Sequence, residues 1–91
     1  MSDDLDVRFK QASDEVTQLS EAPDNLAKLK LYAMFKQASA GDCAGSRPGM
    51  LDFVARAKYD KWKELEGTPQ DEAKRQYIEF VEELKAADKA K

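Results

Sequence analysis

The sequence predicts an all-α protein of four helices, and three observations carry that prediction. Helix formers dominate, and apolar alternation of period two is nearly absent. Three segments each bear one apolar stripe at steps of three and four residues. Chain breakers fall in three places, at residues 20–24, 41–50 and 67–69, and cut the chain into four. The full length of 91 residues suits one domain and is too short for two.

The first helix is expected over about residues 4–19, capped by Asp3 or Asp4. Its stripe is Leu5, Phe9, Ala12, Val16 and Leu19, all on one face. Ser20 to Asp24, with Pro23, breaks the chain. The second helix spans about 25–40, capped by Asp24 or Asn25, with Gly41 as its left-handed stop. Residues 41–50 hold three Gly and Pro48 and read as a loop. The third helix, about 53–66, carries Ala55, Tyr59, Trp62 and Leu65 on one face and stops at Gly67. Thr68-Pro69-Gln70-Asp71 then offers a cap, a Pro in the first turn and an acid at the positive end of the dipole. The fourth helix, about 69–87, carries Ala73, Tyr77, Val81 and Leu84, broadened by Ile78 and Phe80, and frays in the Lys/Ala-rich tail.

The second helix differs from the others. Leu26, Leu29, Leu31, Tyr32, Ala33, Met34 and Phe35 surround most of its circumference. A helix apolar on more than one side lies at the centre of a core or contacts something besides it.

Composition excludes several classes. The longest apolar run is the five residues Leu31 to Phe35, against the roughly 20 that a membrane span needs. Residues 1–10 alternate acid and apolar without a basic start, so no secretory signal and no stable membrane insertion are expected. The single Cys43 permits no intramolecular disulfide and no multi-Cys zinc site; it reads as a loop thiol in a reducing compartment. The chain has no His, which removes the usual base near neutral pH and the commonest metal ligand. Neither Ser39 nor Ser46 has an evident base, so a thioester hydrolase is disfavoured. No metal site, no cofactor and no enzymatic activity are expected.

The formal net charge of −3 argues against broad nucleic-acid binding. It is unevenly spread: residues 1–25 carry −5, residues 26–63 carry +5 and residues 64–91 carry −3. The basic middle contains Tyr32, Phe35 and Lys36, at i, i+3 and i+4 on one helical face. An aromatic ring beside an ammonium suits a nucleotide, the ring stacking on a base and the Lys meeting a phosphate. The same spacing also describes an aromatic at the edge of a core with a solvated Lys beside it. No GxGxxG or GxxxxGK[ST] is present, so a Rossmann or P-loop site is excluded.

Five stretches together resemble the acyl-CoA-binding protein family. They are Tyr32-Ala33-Met34-Phe35-Lys36-Gln37-Ala38, Gly41-Asp42, Arg47-Pro48-Gly49-Met50-Leu51-Asp52-Phe53, Ala57-Lys58-Tyr59-Asp60-Lys61-Trp62, and Tyr77-Ile78 with Val81-Glu82-Glu83-Leu84-Lys85. The likeness runs in one register from about Phe9 to Lys85. It implies one acyl-CoA-binding domain over residues 1–91, a four-helix up-down-down-up bundle that binds medium- to long-chain fatty acyl-CoA esters without transforming them. It implies that Phe35 stacks near the adenine, that Tyr32, Lys36 and Lys58 meet the 3′-phosphate, and that Tyr77 lines the ligand. The acyl chain is expected in a groove beneath the head group. Ser13, Thr17, Lys28 and Leu29 are expected as secondary contacts.

The sequence departs from the family pattern at four positions. Phe35 and Tyr59 stand where Tyr and Trp are usual, Thr17 where a Lys often sits near the phosphates, and Lys28 where an apolar residue is common near the chain. Phe9, Val16, Leu19, Ile78, Val81 and Leu84 match packing positions between the first and fourth helices. The resemblance implies a monomeric cytoplasmic carrier whose partners are long-chain acyl-CoA and, transiently, acyl-CoA-using enzymes. A helical protein-interaction domain that has lost the ligand is the alternative.

Overall fold

A computed structural model describes residues 2–89. Its elements are α1 (Ser2–Glu15), continued by a 3-10 turn (Val16–Gln18), α2 (Asn25–Ala40), α3 (Phe53–Lys63) and α4 (Gln70–Lys89). No strand occurs among the described residues.

Local chemistry sets each boundary. Helix α1 opens at Ser2, ahead of both expected caps: Asp4 lies inside it, and the Asp3 side chain and Met1 lie outside the described residues. Its α-helical part ends at Glu15 rather than Leu19. Near that end the Ser13 hydroxyl donates to the Lys10 carbonyl (2.8 Å) and the Thr17 hydroxyl to the Asp14 carbonyl (2.7 Å). Such back-bonding competes with the regular ladder, and the last turn tightens to 3-10. The Asp24 carboxylate caps α2 by accepting from Ala27 N–H at 2.8 Å. Gly41, with φ 85°, closes it by donating to the Gln37 carbonyl.

Asp52 caps α3, accepting from Ala55 N–H at 3.2 Å. The expected extension to 66 is instead a run of tight turns. Leu65 N–H donates to Trp62 O, Glu66 N–H to Lys63 O and Thr68 N–H to Leu65 O, each at i→i−3 spacing, with Gly67 at φ 90°. Pro69 stands one position before α4, its carbonyl accepting from Ala73 N–H, so the start falls one residue later than the Thr68 cap implied. The helix continues past 87 to Lys89; the remaining tail, Ala90 and Lys91, lies outside the described residues.

The helices lie in the spatial order α1, α4, α2, α3, each packing on its neighbours in that series. Cross-helix pairs give their directions. Lys74 pairs with Asp6 (2.6 Å) and Lys85 with Glu15 (2.9 Å), so α4 runs parallel to α1. Lys30 sits over Phe80 while Gln70 donates to the Ala38 carbonyl, so α2 runs against α4. Lys58 meets Tyr32 and Lys36 meets Trp62, so α3 runs with α2. The result is the up-down-down-up bundle. Two consecutive parallel helices need a long connection, which residues 41–52 supply.

The core is Leu5 and Ala12 of α1 with Tyr77, Ile78 and Val81 of α4, flanked by Phe9, Val16, Leu31 and Met34. The all-round apolar character of α2 is explained by its place between two helices. Leu31 and Met34 pack toward the core, while Leu29 lies against α3.

Candidate functional site

Three aromatic rings from three helices meet at one place. Phe9 of α1 stacks on Phe35 of α2, with centroids 5.4 Å apart and planes at 29°. Tyr77 of α4 meets both edge-on, 5.1 Å from Phe9 and 5.9 Å from Phe35. Tyr77 is buried, and that burial pushes its phenol above its usual range, so it stays neutral. Phe35 is 39% exposed and offers part of its ring to solvent.

Tyr32 stands between Phe35 and Lys36 on the helical wheel and leads to a second group. Lys58 Nζ lies 5.3 Å from the Tyr32 ring centre, and Lys36 Nζ lies 5.2 Å from that of Trp62. Two ammonium groups are thus held on aromatic faces along the α2–α3 seam. Lys58 also borders an apolar groove of about 350 Å³, lined with it by Asn25, Lys28 and Leu29 of α2 and Phe53, Val54 and Ala57 of α3.

The expected residues therefore divide into neighbouring parts. Phe35 and Tyr77 form the ring cluster; Tyr32, Lys36 and Lys58 form the cationic seam; Leu29 and Lys28 line the groove with Lys58. Ser13 and Thr17 are not brought into either cluster, and their hydroxyls are engaged by carbonyls of their own helix.

Several participants are not evident in the sequence reading. Phe9, expected only as packing, supplies the ring under Phe35. Trp62 supports Lys36. The α3 wall follows a helical pattern, positions 53, 54, 57 and 58, which would have identified it.

A buried polar node fixes the far end of the seam. Gln37 is fully buried; its amide donates to Asp42 Oδ1 and to the Thr68 carbonyl, both at 2.8 Å. Trp62 Nε1 donates to Gln37 Oε1 (3.2 Å) and to the Gly41 carbonyl (2.9 Å). Asp42 Oδ1 also accepts from Gly67 N–H at 2.8 Å. That backbone donor, with the Gln37 amide, holds the Asp42 carboxyl below its ordinary value. The node ties α2, α3 and the turn ahead of α4 together. The long loop is pinned separately: Arg47 grips Asp60 through two bonds (2.9 and 2.6 Å), and the Tyr59 hydroxyl donates to the Gly45 carbonyl (3.1 Å). Cys43 lies in this loop as expected and is buried.

A second hollow, about 370 Å³, lies between α2, the end of α3 and α4. Glu64, Glu79 and Glu83 line it with Lys30 and Lys61, and Lys30 is already seated over Phe80. Its sign is wrong for an anion. Among the described residues no group of His, Cys, Asp and Glu is arranged to hold a metal, and no helix is long and apolar enough to cross a membrane.

Comparison with known proteins gives sequence and fold relatives. The family described as "Acyl CoA binding protein" matches residues 6–81. The chain is 43% identical over 84 residues to the acyl-CoA-binding protein homolog of Manduca sexta, covering 91% of this chain and 93% of that protein. It is 49% identical over 63 residues to acyl-CoA-binding protein homolog 3 of Caenorhabditis elegans and 39% identical over 82 residues to enoyl-CoA delta isomerase 2 of Rattus norvegicus. Those alignments cover 69% and 90% of this chain, but only 54% of the worm protein and 21% of the rat enzyme. The chain thus spans about half of the one and about a fifth of the other. Among solved structures, the crystal structure of Oryza sativa acyl-CoA-binding protein 2 superposes with a TM-score of 0.92 at 33% identity, covering 97% of this chain and 96% of that one.

Proposed function

The chain belongs to the acyl-CoA-binding protein family, and on that premise we propose that residues 1–91 form one domain that binds medium- to long-chain fatty acyl-CoA esters, without transforming them, and buffers or carries them in the cytoplasm. The observation that carries this reading is the continuity of the ring cluster, the two-lysine seam and the apolar groove along one side of α2.

An acyl-CoA ester has an aromatic base, a cluster of phosphates and an apolar tail. Phe35, backed by Phe9 and Tyr77, offers the base a stacking face. Tyr32, Lys36 and Lys58 meet the 3′-phosphate; Lys–phosphate contacts contribute about 1.5–3 kcal/mol each. The tail enters the groove over Leu29, Val54 and Ala57. Each buried methylene contributes about 0.8 kcal/mol, so a tail of about sixteen carbons gains at most about 10 kcal/mol before ordering costs. The Lys28 stem covers the tail while its ammonium reaches water.

The reading needs no cofactor and no reacting group of the protein. The chain contains no His to act as a base near neutral pH. Isomerase activity in the rat relative is a property of that longer protein. The domain acts as a monomer and meets acyl-CoA-using enzymes transiently.

Calorimetric titration with palmitoyl-CoA, free CoA and palmitate tests the proposal. Tight binding of the ester, much weaker binding of its two halves and no release of CoA over time are expected. Indifference to all three would sink it in favour of a protein-interaction domain, and steady CoA release would establish a hydrolase.

A further inference from the structure

Helices α3 and α4 both pack on α2 and do not pack on each other. The cleft left between them is the hollow of about 370 Å³. It shares no residue with the apolar groove and uses another face of α2, positions 30, 33 and 34 against 25, 28 and 29. Its apolar surface comes from three sides: Met34 of α2, Leu65 in the turn after α3 and Phe80 of α4. The volume falls in the range of about 300–1,000 Å³ that small-molecule sites occupy.

Charge and size identify the occupant. Three of the ionic side chains that line the hollow are already engaged. Lys30 Nζ lies 5.6 Å from the centre of the Phe80 ring, and Lys61 pairs with Glu64 at 3.5 Å. Glu79 and Glu83 remain, one turn apart on α4, and neither has a cationic partner among the described residues. Carboxylates at this spacing repel each other, and a cation between them turns that repulsion into two attractions. An apolar surface edged by two unneutralised carboxylates complements a molecule with an apolar body and an ammonium group. Along α4 the lining runs from Gln76 to Glu83, about 10 Å of helix. That length suits a small molecule rather than a protein face, which uses roughly 20–30 residues a side.

We propose that this hollow binds small amphiphilic amines, with the apolar body over Met34, Leu65 and Phe80 and the ammonium between Glu79 and Glu83. The occupant fills the interface that the fold leaves open between α3 and α4. Because the two hollows have separate walls, the amine is held alongside an acyl-CoA ester rather than in its place. The proposal goes beyond ester binding and does not rest on it.

The probe is dansylcadaverine, a fluorescent aromatic body on a five-carbon ammonium arm, titrated into the full chain. Saturable binding is expected, weakened by high salt. Amide shifts measured by NMR should centre on residues 61–65 and 76–83. The N-acetylated probe, which has no charge, and the double variant Glu79→Gln/Glu83→Gln should each lose about tenfold or more in affinity. The variant should keep the parent's unfolding midpoint and its affinity for palmitoyl-CoA, and palmitoyl-CoA should not displace the probe. No saturable binding, equal binding by parent and variant, or equal binding of the acetylated probe would overturn the proposal. Displacement by palmitoyl-CoA would also overturn it, by placing the probe in the acyl groove. So would failure of the probe where a Lys-rich amphipathic peptide binds at the same residues, which would assign the hollow to a protein partner. Failure of palmitoyl-CoA itself to bind would remove the ester reading and leave the amine site to be judged on the probe alone.

Discussion

Lys58 Nζ lies 5.3 Å from the centre of the Tyr32 ring, joining α3 to α2 at the edge of the apolar groove. The ammonium is positioned by an aromatic face rather than by a carboxylate, so its charge remains available to an anion. Lys58→Ala is expected to weaken palmitoyl-CoA binding by roughly ten- to a hundredfold, the equivalent of one phosphate contact. Lys36, over Trp62, should behave similarly. Each substitution should lower apo stability by no more than about 1 kcal/mol, the value of an exposed cation–π contact. Calorimetry and urea unfolding of the same samples check both halves; an unchanged dissociation constant would remove the phosphate role.

Phe35 links ligand and core. Replacement by Tyr keeps a ring against Phe9 and Tyr77 and should leave unfolding and affinity near those of the parent. Phe35→Ala removes two ring contacts, at about 0.5–1.5 kcal/mol each, so stability should fall by about 1–3 kcal/mol together with affinity for the ester. Loss of affinity with no loss of stability would show that the ring cluster does not support the fold.

The Tyr32, Phe35 and Lys36 spacing reveals an aromatic-lysine face but not its division. Steps of three and four place Phe35 and Lys36 on opposite sides of Tyr32, and only the neighbouring helices decide that one joins Phe9 and the other Trp62. The stripe of Leu5, Ala12, Ile78 and Val81 was legible because burial imposes its period on sequence. Gln37 was not, because a polar residue inside a helix usually faces water, and its partners lie 5, 25 and 31 positions away. The exposure of Met50, Leu51, Phe53 and Val54 was equally hidden: they have the composition of a core segment, and sequence does not show that nothing is packed on them.

Gln37→Ala should strand the Thr68 carbonyl and remove one of the two bonds made by Trp62 Nε1. An unsatisfied buried group costs about 1–3 kcal/mol, and a destabilisation of at least that size is expected in urea unfolding. Gln37→Glu, which keeps the shape but replaces the donor amide, should be no better because it faces the Asp42 carboxylate. A neutral effect of both variants would dismiss the node as a fastening point.

Asp42 makes stability acid-dependent with a definite sign. Its carboxyl is held below its ordinary value of 3.8 by Gly67 N–H and the Gln37 amide, so the unfolded chain takes up the proton first. The stabilisation is complete above the ordinary value and is lost as pH falls through it toward the lower native value. Asp60, gripped by Arg47, acts in the same direction. Asp42→Asn should lower the urea midpoint at neutral pH and shrink its acid dependence below about pH 4. Parallel pH profiles for parent and variant would contradict the assignment.

Helix α3 occupies the outer end of the helix series, contains no fully buried residue and packs on α2 alone among the described helices. Cooperativity should therefore be graded across the molecule. The α1–α4–α2 slab resists opening as one body, whereas α3 detaches at lower free energy, and its amide hydrogens should exchange first. Phe53, Val54, Ala57 and Lys58 are carried by this least protected element. A molecule bound between α2 and α3 closes that local opening, so its affinity includes the work of holding the edge helix in place, and protection of the α3 amides becomes a direct gauge of occupancy.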